Sequence, residues 1–78
     1  MYGEDLTVVE TRILLGMSHG LTNAEIGERL GYTRDTIGNY AKWLFRKLGA
    51  RDRGHAVRLG FEGGWLQAGD PVPFRRTN

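Results

Sequence analysis

Apolar residues recur at three- and four-residue spacing in four separate stretches of the chain, and no stretch alternates with a period of two. This spacing gathers apolar side chains on one face of a helix, so the pattern predicts an all-α fold. The expected helices cover about residues 7–19, 23–30, 34–48 and 52–63. They form a predicted domain of residues 1–66, followed by an extended tail of residues 67–78 that Trp65 and Leu66 hold against the helices.

Polar residues at the expected helix starts support these boundaries. Thr7 and Glu10 form a capping box, in which the hydroxyl accepts from the Glu10 amide and the carboxylate accepts from the Thr7 amide. Thr22 and Glu25 repeat the pattern at the second helix. The expected caps of the third and fourth helices are Thr33 and Asp52. Glycines that can adopt a positive φ follow the first three helices, at Gly20, Gly31 and Gly49.

The connection between the second and third helices, residues 30–33, is short enough to force a steep crossing angle. Gly27 lies within the second helix, where glycine is less favourable than alanine by up to about 1 kcal/mol. We therefore expect the third helix to cross directly over Gly27. A small residue, then Gly31 four positions later and Ile37 six positions after that, is the spacing of a DNA-binding helix-turn-helix. The alternative is an ordinary helix hairpin, which needs neither Gly27 nor a basic outer face.

Charge is distributed unevenly, although the formal net charge is only +2. Residues 1–33 carry two arginines and five acidic residues, whereas residues 34–58 carry seven lysines or arginines and two aspartates. A cationic segment of this kind can bind the phosphates of a nucleic acid. A solvated helix face is the alternative, and the position of the segment in the helix-turn-helix favours DNA.

Helical rotation identifies the side of the third helix that lies opposite its apolar stripe. With Ile37 inward, the residues expected to read DNA bases are Asp35, Gly38, Asn39 and Lys42. Asn39 can pair with adenine and Lys42 can donate to guanine. Asp35 can accept from cytosine N4, or serve only as a favourable charge at the helix start. The residues expected along the DNA backbone are Thr33, Arg34, Thr36, Tyr40, Arg46, Lys47 and Arg51.

Small residues recur at four-residue spacing on the fourth helix and would let two helix backbones approach closely. We therefore expect a homodimer. The expected dimer interface comprises Ala56, Val57, Gly60, Phe61 and Gly64. A frayed, glycine-rich helix end is the alternative. In the tail, Arg75 and Arg76 are either an arm that reaches DNA or a solvated end.

These motifs together resemble the LuxR/GerE type of helix-turn-helix domain. The resemblance rests on ordered segments of the chain: Leu6-Thr7-x-x-Glu10-x-x-Ile13-Leu14, Gly20-Leu21-Thr22-Asn23-x-Glu25-Ile26, Leu30-x-x-Thr33-x-x-Thr36-Ile37-x-Asn39 and Lys47-Leu48-Gly49-Ala50-x-x-Arg53-x-x-Ala56-Val57. It implies a four-helix domain whose third helix enters the major groove and whose fourth helix pairs two copies on DNA. Gly38 departs from the family, which usually has a DNA-contacting lysine there. Sigma-factor region 4 shares the opening and the turn, but the last segment favours the LuxR type.

Other function classes lack the residues they require. The chain has no cysteine, its two histidines are isolated, and it has no nucleophile motif or phosphate-binding glycine loop. We therefore expect no enzyme activity, no metal and no cofactor. No apolar run is long enough for a membrane span and no secretory signal is apparent, so we expect a cytoplasmic protein. No receiver or ligand-binding domain precedes the motif, so we expect a stand-alone regulator. The alternative function is a helix-turn-helix reused to bind RNA polymerase or another regulator.

Overall fold

A computed structural model describes residues 5–72 of the chain. All regular secondary structure in this range is helical, which confirms the predicted all-α fold class. The helices are α1 (Val8–Ser18), α2 (Asn23–Leu30), α3 (Arg34–Leu48) and α4 (Arg53–Glu62). None of these four helices is long and apolar enough to cross a membrane. Arg75 and Arg76 lie outside the described residues.

The helices begin at side chains that bond to the first turn. Thr7 Oγ1 accepts from the Glu10 amide at 3.1 Å, and Glu10 Oε1 accepts from the Thr7 amide at 2.8 Å. Thr22 and Glu25 form the same pair of bonds at the same distances. Both predicted capping boxes are therefore confirmed. The remaining two caps are also those expected from the sequence, Thr33 and Asp52.

The inner faces of the helices meet in one apolar core. Its largest fully buried side chains are Ile13, Leu14, Ile26, Ile37 and Leu44. Leu66, which follows α4, is only 3% exposed and packs on the same core. Trp65 is half-buried against it. These two residues therefore return the chain to the helices, as the sequence predicts.

Gly27 lies where the α2–α3 turn presses on α2. A Cβ at Gly27 would collide with the Tyr32 carbonyl oxygen and would lie 3.2 Å from the Thr33 carbonyl carbon. The predicted close approach is present, but it involves the backbone of the turn rather than the body of α3. Gly31, with φ of +87°, donates its amide to the Gly27 carbonyl at 2.8 Å. Tyr32 donates to the same oxygen at 2.8 Å. These contacts set the direction in which α3 leaves α2.

An ion pair holds the end of α3 against the start of α1. Lys47 Nζ donates to Glu10 Oε1 at 2.9 Å, and the two side chains are 22% and 7% exposed. Burial by itself would raise the pKa of Glu10. The hydrogen bonds from Lys47 and Thr7, together with the charge of Lys47, outweigh that effect and hold the pKa below its usual value of 4.5. The carboxylate therefore remains ionised near neutral pH.

Candidate nucleic-acid interface

α3 is fixed by its inner face and by its first turn. Ile37 and Leu44 have no exposed surface, so the helix cannot rotate without opening the core. At its start, Thr33 Oγ1 accepts from the Thr36 amide at 3.1 Å and donates to the Thr36 hydroxyl at 3.0 Å. The side of α3 opposite the core is consequently presented to solvent in one orientation.

An open groove runs along this outer side and reaches the start of α2. The residues that line it are Asn23, Arg34, Asp35, Gly38, Asn39 and Lys42. Asp35, Asn39 and Lys42 are exposed, and Gly38 is half-buried. The structure thus brings the four sequence-predicted base-reading residues onto one accessible surface, which we call the reading face.

Gly38 forms a gap in the reading face. Outside its own helix backbone, the nearest atom to a Cβ built at Gly38 is Asn23 Nδ2, at 4.0 Å. Packing does not require glycine here, in contrast to Gly27. The gap leaves the Asn23 amide uncovered beside α3.

The three arginines expected along the DNA backbone, Arg34, Arg46 and Arg51, are exposed. Arg34 Nε lies 3.8 Å from an Asp35 carboxylate oxygen, with side chains 74% and 90% exposed. Solvent screens a pair this exposed, so it contributes little to stability. The Arg46 guanidinium lies 4.9 Å from the centroid of the Trp43 ring, and Trp43 itself is 57% exposed. This stacking limits the positions that Arg46 can occupy.

The other residues expected along the DNA backbone have partners within the chain. Lys47 is bound to Glu10, and an ammonium that moved to a phosphate would leave that buried carboxylate unpaired. Lys47 therefore anchors α3 in this structure, and its contact with the DNA backbone stays a prediction. Tyr40 is half-buried and meets Tyr32 edge to face, with ring centroids 5.6 Å apart. Thr33 and Thr36, as described above, bond to each other.

Two small residues of α4, Ala56 and Gly60, are buried within the chain. Ala56 has no exposed surface. A Cβ at Gly60 would lie 2.7 Å from Leu14 Cδ2 and 3.0 Å from Leu66 Cδ1. The small residues therefore make room for α1 and for the segment after α4, which contradicts the predicted place of Ala56 and Gly60 in a dimer interface. The predicted interface residues that retain exposed surface are Val57, Phe61 and Gly64.

A link between α4 and the start of α2 was not anticipated from the sequence. Arg53 Nη2 donates to Asn23 Oδ1 at 2.9 Å, and Nη1 donates to the Leu21 carbonyl. A guanidinium only donates, so it is the amide oxygen of Asn23 that faces Arg53. Asn23 and Arg53 are 30 residues apart, and no local spacing rule pairs them. Both residues belong to the segments that carry the family resemblance, but nothing in the sequence indicated that they bond to each other.

The described part of the chain offers no group of side chains that could hold a metal ion. Both histidines contact the backbone of the chain instead. His19 Nε2 lies 2.9 Å from the Asp70 carbonyl oxygen. His55 Nδ1 accepts from the Arg51 amide at 3.0 Å. These contacts connect the segment after α4 to the end of α1, and the start of α4 to the turn before it.

Comparison with known proteins identifies relatives of the chain. The family model described as bacterial regulatory proteins, luxR family, matches residues 4–59. The response regulator RamR of Streptomyces coelicolor is 42% identical over 60 residues, 77% of this chain and 30% of RamR. The probable transcriptional regulatory protein SgaR of Hyphomicrobium methylovorum is 39% identical over 72% of this chain and 26% of SgaR. The transcriptional regulatory protein LnrK of Bacillus subtilis is 40% identical over 68% of this chain and 24% of LnrK.

A solved structure, VqmA bound to DPO, superposes with a TM-score of 0.71 and 25% sequence identity. The match covers 77% of this chain and 30% of that one. The chain thus spans less than a third of the length of each of these relatives.

Proposed function

The chain belongs to the luxR family of bacterial regulatory proteins, and we propose that it binds double-stranded DNA sequence-specifically by placing α3 in the major groove. The observation that carries the proposal is the reading face, where Asp35, Asn39 and Lys42 are exposed together on a helix whose other side is locked in the core. The major groove is wide enough to admit an α-helix. The names of the relatives, a response regulator and two transcriptional regulatory proteins, support a role in transcription.

Each polar side chain of the reading face suits a particular base edge. The Asn39 amide can donate to N7 and accept from N6 of the same adenine, and Lys42 can donate to guanine O6 or N7. The Asp35 carboxylate is acceptor-only and fits the N4 amino group of cytosine. Gly38 brings no side chain and lets the base edge approach the α3 backbone.

Arginines beside the reading face supply affinity that does not depend on base sequence. Arg34 stands in the first turn of α3, where the free backbone amides also favour a phosphate. Arg46, stacked on Trp43, and Arg51 extend the cationic surface beyond the other end of the reading face. Thr33, Thr36 and Tyr40 complete the proposed contacts with the backbone.

We further propose that two copies bind one operator, with contacts made by the exposed part of α4 and the turn after it. Phe61 is 43% exposed, so part of its ring is available to a second copy of the chain. The proposed contact residues are Val57, Phe61 and Gly64. A two-fold dimer of this kind requires half-sites separated by about 10 base pairs or a multiple of that spacing.

We assign the DNA-binding domain to residues 1–66 and a tail to residues 67–78. A regulator of this kind acts on the bacterial chromosome in the cytoplasm, where RNA polymerase is a candidate second partner. We propose no catalytic activity and no cofactor, because DNA binding by the reading face needs neither.

Selection of binding sites from a random pool of duplexes tests the proposed function. We expect enrichment of one sequence motif, and a steep fall in affinity as the salt concentration rises, because each neutralised phosphate releases counterions. If the duplexes retained by the chain share no sequence motif and their retention does not change with salt concentration, the proposed sequence-specific DNA binding is contradicted. If the selection fails in this way and the chain instead captures RNA polymerase or another regulator, the protein-interaction alternative is favoured.

A further inference from the structure

The Asn23 side chain is oriented by one neighbour and open on its other side. Arg53 Nη2 donates to Asn23 Oδ1 at 2.9 Å, and a guanidinium cannot accept a bond. The Oδ1 atom is therefore hydrogen-bonded to Arg53, and Nδ2 is the other polar atom of the same side-chain amide. Among residues 5–72, no hydrogen bond from Nδ2 is formed. This group faces the groove, 4.0 Å from the place a Gly38 Cβ would occupy.

The surroundings of this donor suit an anion. Asn23 is the first residue of α2, where the free backbone amides and the positive end of the helix dipole favour an anion. Arg34 and Lys42 line the same groove, and Asp35 is the acidic residue among its lining. The carboxylate of Glu25 is turned back to the Thr22 amide at 2.8 Å. A DNA strand that borders the major groove occupied by α3 would carry its phosphates past this position.

We propose that Asn23 binds a DNA phosphate through Nδ2, and that Arg53 is the positioning residue that fixes the amide without touching DNA. The inference rests on the proposed DNA binding of the reading face and adds a contact on α2. It also gives α4 an indirect role in DNA recognition, because Arg53 at the start of α4 holds the side-chain amide of Asn23 in place. The gap at Gly38 keeps the amide accessible.

The first experiment measures affinity for a selected duplex by fluorescence anisotropy across a range of salt concentrations, using the full chain. Asn23→Asp keeps the oxygen for Arg53 but replaces the donor with an anionic oxygen, and we expect affinity to fall by more than roughly tenfold. Asn23→Ala removes the donor without adding charge, and we expect a loss of roughly three- to tenfold on every sequence. The salt slope is the slope of the logarithm of affinity against the logarithm of salt concentration. Because Asn23→Ala leaves the number of cationic contacts with phosphate unchanged, we expect the same salt slope, whereas Arg34→Ala should reduce its magnitude by about 0.9.

Gln67→Ala is the matched control, since Gln67 is an exposed amide side chain away from the reading face. If Asn23→Ala binds as tightly as Gln67→Ala while the unmodified chain binds DNA, the inference is overturned and the proposed function stands. If the unmodified chain shows no salt-dependent binding to any duplex, the proposed function itself has failed.

A double-mutant cycle tests the positioning role of Arg53. We expect Arg53→Gln to weaken binding several-fold in the unmodified chain and to have little further effect once Asn23 is alanine. A merely structural role would weaken both backgrounds equally and would overturn the assignment. Circular dichroism at the assay temperature verifies that each variant remains folded, and Arg53→Lys serves as a second variant if glutamine lowers the helix content.

Discussion

The Lys47 ammonium and the Glu10 carboxylate lie 2.9 Å apart although 37 residues separate them in the sequence, and their contact ties the end of α3 to the start of α1. Glu10 also completes the capping box of α1. One carboxylate therefore stabilises a helix start and fixes the helix that carries the reading face.

Removing the cation should be costly for the fold. We expect Lys47→Met to lower the free energy of unfolding by about 2–3 kcal/mol, because Glu10 is left ionised and only 7% exposed without its partner. Urea denaturation measures the change. Arg58→Met is the matched control: Arg58 forms a 2.8 Å pair with Glu62, but both side chains are more than half exposed, so the expected loss is below about 1 kcal/mol. Equal losses in the two variants would contradict the structural importance of the Lys47 pair.

The same carboxylate predicts a dependence of stability on pH. The pKa of Glu10 is lower in the folded chain than its usual value of 4.5, so the folded state favours the ionised form. Its contribution is therefore complete above pH 4.5 and declines as the pH falls through the lowered pKa of the folded chain. The exposed Glu25, whose pKa is also lowered by its bonds to Thr22, adds to the trend. Denaturation between pH 6 and pH 3 should give a flatter profile for Glu10→Gln, and an unchanged profile would refute the assignment.

Alanine at two glycines of the helix-turn-helix should have opposite effects. A Cβ at Gly38 would lie no closer than 4.0 Å to Asn23 Nδ2, and Gly38→Ala removes the helix penalty of glycine, so we expect a gain of about 0.5–1 kcal/mol in the free energy of unfolding. Gly27→Ala collides with the Tyr32 carbonyl, and we expect a loss of about 1–3 kcal/mol. Thermal denaturation of both variants checks the signs. Each substitution is the control for the other, and a shared sign would contradict the packing of the turn.

Two basic residues should differ in how they affect DNA binding. Lys42→Ala removes a side chain of the reading face, and we expect a loss of about 1–3 kcal/mol on the selected sequence, with relaxed preference at one position. Arg51→Ala should weaken binding to all duplexes alike and lower the salt slope by about 0.9. Competition binding with selected and scrambled duplexes separates the two effects. A Lys42→Ala chain with unaltered preference would place base recognition elsewhere.

The stoichiometry on DNA tests the contact proposed for Phe61. Phe61→Asp puts a charge on the exposed ring position of α4, and we expect one copy per palindromic duplex where the unmodified chain places two. Sedimentation velocity of the complexes distinguishes the two stoichiometries. Val72→Asp is the matched control, since Val72 is 37% exposed and lies outside α4. Two copies of the Phe61→Asp chain on each duplex would exclude this contact.

The sequence predicted what depends on neighbours in the chain. The capping boxes join residues three positions apart, and helical spacing alone assigns Ile37 and Leu44 to the buried side of α3. The bonds between Lys47 and Glu10 and between Arg53 and Asn23 could not be predicted in this way. They form only after the helices have taken their places, and periodicity within one helix contains no information on that arrangement.

The fourth helix illustrates the same limit. Four-residue spacing indicated that Ala56 and Gly60 share a face, but it did not say which neighbour that face meets. The neighbours are Leu14 and Leu66, whose side chains occupy the space over Gly60. Glycine is unfavourable within a helix, so Gly27 likewise indicated a close contact at that position, but it did not identify Tyr32 as the neighbour. A small residue therefore marks close packing, and the identity of the packed element requires coordinates.

The exposed indole beside the reading face gives the molecule an intrinsic optical probe. Trp43 is 57% exposed and stacked under Arg46, so its emission maximum reports the water around that edge of α3. Trp65, half-buried after α4, reports instead on the docking of the segment that closes the core. With Trp65 replaced by phenylalanine, a blue shift or quenching of the remaining fluorescence on addition of duplex would follow occupancy in real time, without an attached dye.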